Sequence, residues 1–480
     1  MLSLAELRKR HPIFYFDQVL LEHEDRNLLI HLKYHLENGP DFTTTWCFPG
    51  LSQEKLATKD EDLIKVWAAH LGMVEGLSYW KSSCSPKWVV KVPGITKDQL
   101  PFWQNILHKG MSEFFFIHET DGWHEDFVKF DLQVPETEQL HPQVNQTTHS
   151  TRLLVPVGGG KDSVVTAELL RELKLPITTF NVDSYAQPYL EKVIDTFWRN
   201  TASDHQGRSH LLVQRHIDAK KIHELNEQGY WNGHTPFSAM LAFSSTLCAY
   251  LYDYLYVPLS NEWSANEGNT VFLGQTINHQ YSKTVEFEEQ FRTHLRTYLS
   301  TTIEYFSFLR PLHELQIAKL FTHYPEYWPV FLSCNRGQRK GVWCGECPKC
   351  VFVSIMLSAF LNEKELFAIF HKNILDDENL KNIFDQLAGF TEVKSLECVG
   401  TRDETRAAIA LAMKHLSAPP KLLSYGWERL LEETPDEKLL LERAATLLST
   451  FVEENFLPTQ FATLLRNTVK SLSAQTRKQS

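Results

Sequence analysis

A chain of 480 residues is too long for one ordinary hydrophobic core, so two or three domains are expected. With 43% hydrophobic and 22% charged residues it is neither disordered nor low in complexity. A net charge of -11 argues against broad nucleic-acid binding, though not against a local basic pocket for an anionic substrate.

Met1–Arg10 lacks the apolar core of a secretory signal. Phe14–Phe16 with Val19–Leu21, Leu28–Leu32 and Thr43–Phe48 read as strands separated by turns, and Asp60–Tyr79 as a helix. This predicts an N-terminal α+β domain over 1–148, with no chemistry that its residues name. The polar stretch Glu136–Ser150 reads as a linker.

A second domain, 149–360, opens as strand, glycine loop, helix and strand: Arg152–Val157, Gly158–Gly160, Ser163–Lys174 and Ile177–Val182. That order begins a parallel α/β sheet. Leu211–Val213 and Leu255–Leu259 read as later strands. Between them Phe237–Tyr252, the longest apolar stretch, is interrupted by Ser244, Ser245 and Thr246. It is shorter than the roughly 20 residues of a spanning helix, so a buried core helix, no membrane contact and a cytoplasmic location are expected. The region 361–480 is mainly helical and charged.

Three glycines between strand and helix let a phosphate approach the backbone, where free N–H groups and the helix dipole favour an anion. Lys161 adds a cation and Ser163 a hydroxyl; Asp162 can cap the helix or hold magnesium indirectly. The Walker loop does not fit, because Val155 stands at its first glycine position. Gly159-Gly160-Lys161-Asp162-Ser163 instead resembles the PP-loop of ATP pyrophosphatases, enzymes that adenylate an oxygen of their substrate and release pyrophosphate. Members usually carry serine where this chain has Gly158. That resemblance makes Asp183, after the second strand, a candidate near the adenosine. A tight glycine turn without a ligand is the other reading.

Four of the eight cysteines, Cys334, Cys344, Cys347 and Cys350, are spaced C-x9-C-x2-C-x2-C. Such thiolates can close around one structural Zn2+ and pin the loop of Arg336, Arg339 and Lys340; four reduced thiols without metal are the alternative. A similar cluster occurs in PP-loop enzymes that make 7-cyano-7-deazaguanine. The stretch Pro258–Lys283 is dense in Asn, Glu, Ser, His and Lys and follows a strand. It therefore belongs at the carboxyl edge of the sheet, where open α/β folds bind ligands.

Taken together, Val155–Ser163, Ser260–Glu262 with Ser264–Gly268, Asn278–Lys283, Trp343–Cys350 and Glu397–Gly400 resemble the MurL family. The likeness runs through most of the chain. It implies an α/β fold whose parallel-sheet PP-loop domain is adenine nucleotide alpha hydrolase-like. It also implies ATP and Mg2+ as cofactors, with UDP-N-acetylmuramoyl-L-alanyl-L-glutamate, a peptidoglycan precursor, as the small-molecule partner. The terminal L-glutamate would be epimerised to D-glutamate through an acyl-adenylate, releasing AMP and pyrophosphate. His279, Lys283, Glu262, Glu267 and Cys398 are proton carriers of the right type, although each also suits a structural role, and Cys398 a small buried one. Arg336, Arg339 and Lys340 are candidates for the substrate's anionic groups, or a solvated basic turn. Two other readings stay open: a PP-loop enzyme acting on a nucleobase or tRNA, and a nucleotide-binding scaffold.

Overall fold

The computed structural model describes residues 1–140, 142, 150–183, 187–200 and 209–479. Much of the expected linker, and the 148/149 boundary, fall outside that set. The described strands are β1 Ile13–Glu24, β2 Asn27–Leu36, β3 Asp41–Phe48, β4 Lys87–Val90, β5 Lys129–Leu132, β6 Ser150–Pro156, β7 Ile177–Asp183, β8 His210–His216, β9 Tyr254–Leu259, β10 Thr270–Phe272, β11 Gln275–Ile277 and β12 Glu304–Ser307. All but β10 and β11 join one ten-stranded sheet, ordered β12-β9-β6-β7-β8-β3-β2-β1-β4-β5. The first four pairings, from β12 to β8, are parallel. The N-terminal strands β1, β2 and β3 form an antiparallel meander, flanked by parallel β4 and β5.

The two halves meet where β3 pairs antiparallel with β8, Trp46 opposite Arg215. Arg215 reaches across this seam to Glu75 on the helix Glu61–Trp80, with guanidinium–carboxylate distances of 2.8 and 2.6 Å. The expected N-terminal and PP-loop regions therefore share one continuous sheet.

Sequence patterning accounts for the layers. In β2 the residues Leu28, Ile30, Leu32, Tyr34 and Leu36 are buried alternately, the period of a strand with one apolar face. In β6 every residue from Leu153 to Pro156 is buried, as a parallel strand covered on both faces requires. Leu154 enters a core shared with the N-terminal half, while Leu153 and Val155 enter a second core under the C-terminal helices. The helix Phe237–Tyr252 is buried, as expected, and its hydroxyls are satisfied internally. Ser244 donates to the Leu241 carbonyl at 3.2 Å and Thr246 to that of Ala242 at 2.6 Å.

From β6 the chain moves through β7 to β8, then returns to place β9 on the other side of β6. The crevice between β6 and β9 is thus a topological switch point, the place where open α/β sheets bind ligands beyond their carboxyl ends.

Candidate active site

Both sides of that crevice carry the residues singled out by the sequence. After β6, Gly159 adopts φ +80°, and a Cβ there would lie 2.7 Å from the Tyr189 ring. Its carbonyl accepts the Leu332 N–H at 2.9 Å, and a Cβ on Gly160 would lie 2.8 Å from Ser333 Oγ. Gly158 is exposed and faces open space. The helix Lys161–Arg171 begins at once. Ser163 Oγ donates to the Gly160 carbonyl at 2.9 Å, bracing the turn.

Lys161 is 2% exposed, and its ammonium contacts the carboxylates of Asp162 and Glu314. Burial opposes its charge, but the two carboxylates outweigh burial and hold the ammonium protonated. Burial pushes Glu314 up to about 8, against the pull of Lys161. Burial likewise opposes the charge of Asp162, yet Lys161, Lys349 and Lys283 carry its carboxyl below the usual range. Glu314 opens the helix Glu314–Phe321, and its backbone N–H donates to Glu404 at 2.6 Å. Asp183, at the end of β7, accepts from Gln187, which Tyr189 Oη contacts at 2.8 Å. Asp183 therefore flanks the glycine loop, and burial raises its carboxyl.

After β9, Glu262 is 3% exposed; burial raises its carboxyl while Lys283 opposes. Arg310, fully buried, fixes the two loops together. It donates to the Glu262 carbonyl at 2.6 Å and to the Lys283 carbonyl, and pairs with Glu288 at 3.2 Å.

Asn278–Lys283 folds against the Cys398 loop through amides. The Asn269 side chain accepts the His279 N–H at 2.8 Å and donates to the Ser395 carbonyl at 2.6 Å. Gln280 donates to the Val399 carbonyl at 3.1 Å. Cys398 consequently lies close to both Lys283 and His279, whose charges act on its sulfur. Burial opposes the thiolate, but Lys283 and His279 outweigh it and bring the thiol well below its ordinary value. Burial also opposes the imidazolium, whereas Cys398 and Glu113 raise His279 to about 10. Glu267 stands apart: it pairs with Lys394 at 2.9 Å and accepts the Arg402 N–H at 3.3 Å, bracing the Cys398 loop.

The sequence did not single out Glu113, His234 or Glu314, and gave no role to Lys349 and Glu397 within their motifs. Glu113 comes from the N-terminal region, whose residues named no chemistry in the sequence. The donor atoms of Glu113, His234 and His279 lie within 4.8 Å of one another. Glu113 and His279 are in direct ion-pair contact, leaving no room for an ion between those two atoms.

The four cluster cysteines are unbridged and mostly buried. Their sulfurs lie 3.5 Å (Cys347–Cys350), 3.7 Å (Cys344–Cys350) and 3.9 Å (Cys334–Cys347) apart. A tetrahedral zinc with arms of about 2.3 Å has sulfur–sulfur edges of about 3.8 Å, so the set fits that ion. Backbone N–H groups of Gly337 and Cys344 point at Cys334 Sγ, at 3.1 and 3.3 Å, as suits a thiolate. Leu332 and Ser333, just before Cys334, are the residues that grip the glycine loop. Asn335 contacts Glu397 beside Cys398, and Lys349 lies between two of the cysteines. Arg336, Arg339 and Lys340 are exposed.

The sequence profile of the MurL N-terminal domain matches residues 5–308, and that of the MurL C-terminal domain matches 330–433. The chain is 30% identical over 386 residues to the UDP-N-acetyl-alpha-D-muramoyl-L-alanyl-L-glutamate epimerase of Xanthomonas oryzae pv. oryzae, covering 79% of this chain and 81% of that one. It is 32% identical over 345 residues to the protein of that name from Salinispora tropica, covering 71% and 72%. A Micromonospora protein of the same name is 32% identical, covering 71% and 73%. The chain belongs to the MurL family.

Proposed function

We propose that this protein is an ATP-dependent epimerase acting on the terminal glutamate of UDP-N-acetylmuramoyl-L-alanyl-L-glutamate, and that its glycine loop is a PP-loop. The observation that carries this reading is the adjacency of two kinds of machinery at one switch point. Gly158, exposed and with nothing within 4 Å of its Cβ position, leaves the loop open near the buried Lys161 ammonium, and Lys283 links that charge cluster to Cys398 and His279. The relatives' shared name supplies the substrate.

The substrate α-carboxylate attacks the α-phosphorus of ATP; the phosphoanhydride bond breaks, and pyrophosphate leaves. Free N–H groups at the helix start and Lys161 would hold the phosphates, and Asp162 would hold Mg2+ indirectly. Magnesium supplies charge neutralisation on those phosphates. Capping the carboxylate removes a negative charge that would oppose enolate formation. A base then takes the α-proton, the C–H pair moves toward the carbonyl oxygen, and an acid returns a proton on the other face. The Lys283 ammonium is placed to stabilise the enolate oxygen or to return that proton. Water finally hydrolyses the acyl-adenylate, releasing AMP and the UDP-muramoyl dipeptide with its terminal residue as D-glutamate. The cysteine cluster is a structural Zn2+ site that fixes Leu332, Ser333 and Lys349 around the loop. No helix among the described residues is long and apolar enough to cross a membrane, and the ATP requirement places the reaction in the cytoplasm.

The test is pyrophosphate release in D2O with either epimer. Release with the L-epimer, deuterium at the glutamate α-carbon, and loss of both in Lys161→Met and Asp162→Asn are expected. An ATP-binding protein that releases none and labels none would refute the assignment and direct attention to deazaguanine and tRNA substrates.

A further inference from the structure

We propose that Glu113, from the N-terminal half, is a positioning residue for proton transfer: it holds the His279 imidazole against Cys398, making the Cys398 sulfur the base that takes the α-proton. The inference rests on the epimerase reading for its substrate, but its geometry is independent of it.

Glu113 lies on the short helix Ser112–Ile117, against the 278–283 segment. Ser112 Oγ accepts the Asn278 N–H at 3.4 Å, and Asn105, on the preceding helix, donates to Tyr281 Oη. These contacts bring Glu113 Oε2 onto His279 Nδ1, across 166 residues of sequence. With Nδ1 committed to the carboxylate, Nε2 is the nitrogen left for the sulfur. His234 completes the support. Its ring lies 4.7 Å from that of His279, and its Nδ1 is 3.4 Å from Glu113 Oε2. Burial and the neighbouring His279 bring His234 down to about 4, so it is neutral and can donate to the carboxylate. One carboxylate, one imidazolium and one thiolate thus form a line from the N-terminal half into the crevice. This is the order that activates a thiol nucleophile or base elsewhere in protein chemistry.

Among the described residues, charged groups from several elements face this line. Lys283 and Lys349 face Cys398 and favour its thiolate, while Glu397 opposes it. Glu262 and Asp162 face Lys283, and Lys81 adds to the charge about His234. Lys283 and Lys349 come from other elements and remain when Glu113 is changed. Removing the Glu113 carboxylate therefore weakens the imidazolium without dismantling the site.

In the step itself the Cα–H bond breaks and the proton passes to the Cys398 sulfur, forming S–H. The C–H electron pair enters the bond to the acyl-adenylate carbon, and the carbonyl oxygen takes the charge. No oxidant or further reactant is needed.

The test is the pH dependence of Cys398 alkylation by iodoacetamide in the full-length folded protein, read by peptide mass spectrometry. Cys398→Ser serves as the blank. The assay uses neither ATP nor the muramoyl dipeptide, so the inference and the epimerase reading can fail separately. In the wild type, labelling should be near its plateau already at about pH 6, below the ordinary thiol range of about 8.5. Glu113→Gln should slow it about tenfold at that pH, which takes a rise of about two pKa units from a thiol already ionised there, and recover toward the wild-type rate at alkaline pH. Glu113→Asp should lie between them, and it carries the comparison if Glu113→Gln does not fold. In turnover, the acid limb of kcat should move to higher pH in the same order. Three results would overturn the proposal: ordinary alkaline labelling in the wild type, labelling only after denaturation, or superimposable wild-type and Glu113 variant profiles.

Discussion

Replacing the glycines of the loop one at a time separates the demands of the fold from those of the nucleotide. Gly159→Ala puts an L side chain at φ +80°, a left-handed conformation costing about 1–2 kcal/mol. Its Cβ would lie 2.7 Å from Tyr189 Cε2, where an ordinary contact is about 3.5–4.0 Å. The Tyr189 ring would have to move although its hydroxyl is tied to Gln187 at 2.8 Å. Overpacking of this kind costs about 1–3 kcal/mol, so the variant should lose about 2–5 kcal/mol in urea unfolding. Gly158 differs, since nothing lies within 4 Å of its Cβ position. Gly158→Ser should be stable to within about 0.5 kcal/mol and keep its ATP affinity. Gly158→Leu should be equally stable but bind ATP at least about tenfold more weakly, because the side chain fills the space assigned to phosphate. Equilibrium unfolding and ATP titration on the same preparations decide it. A Gly159→Ala protein as stable as the wild type, or a Gly158→Leu protein with unchanged ATP affinity, would refute the reasoning.

Two other predictions concern the scaffold. Metal analysis should find one zinc per chain, and Cys347→Ala should lose it together with most pyrophosphate release, since Leu332 and Ser333 would no longer be held on the glycine loop; a metal-free wild type of full stability would overturn this. Arg215→Met should cost about 3–5 kcal/mol in urea unfolding by stranding the buried Glu75 charge. The double variant Glu75→Leu/Arg215→Met should recover much of that loss, and a single variant of wild-type stability would show that the β3–β8 seam does not depend on the pair.

The glycine loop and the cysteine cluster were legible because their chemistry is local. Strand, turn and helix start are contiguous at 152–171, and the four sulfurs lie within 17 consecutive residues, Cys334 to Cys350. The strands of the N-terminal meander were legible from their alternation. What sequence reading missed is non-local. Glu314 reaches Lys161 across 153 residues, and Glu113 reaches His279 across 166. Neither glutamate belongs to a motif; Glu113 stands directly before the apolar run Phe114–Ile117, with nothing nearby in sequence to mark it. Cys398 looked like a lone thiol because Lys283 and His279 approach it only after Asn269 and Gln280 have pinned the two loops together. The continuity of the sheet was hidden for the same reason. Nothing in the sequence around Trp46 or Arg215 announces that β3 and β8 pair.

The arrangement of charge explains why two such distant kinds of chemistry must share one crevice. In the proposed mechanism adenylation acts on an oxygen of the carboxyl group and proton transfer on the neighbouring α-carbon, so their machinery would have to meet within a few bonds' length. Lys161, Asp162 and Glu314 form the phosphate side; Cys398, His279 and Glu113 form the proton side. Two lysines bridge them. Lys283 faces Asp162 and Glu262 as well as Cys398, while Lys349 faces both Asp162 and Cys398. Lys349 sits between Cys347 and Cys350, so the cluster next to the residues that contact the glycine loop also places a cation that the proposed half-reactions would share. On the proposed roles the N-terminal half contributes the far end of the proton side through Glu113, which would give a chemical reason for its sheet to be continuous with that of the glycine-loop half. A flexible joint at β3–β8 would let the carboxylate drift from His279, and the sulfur would lose the imidazolium that keeps it a base.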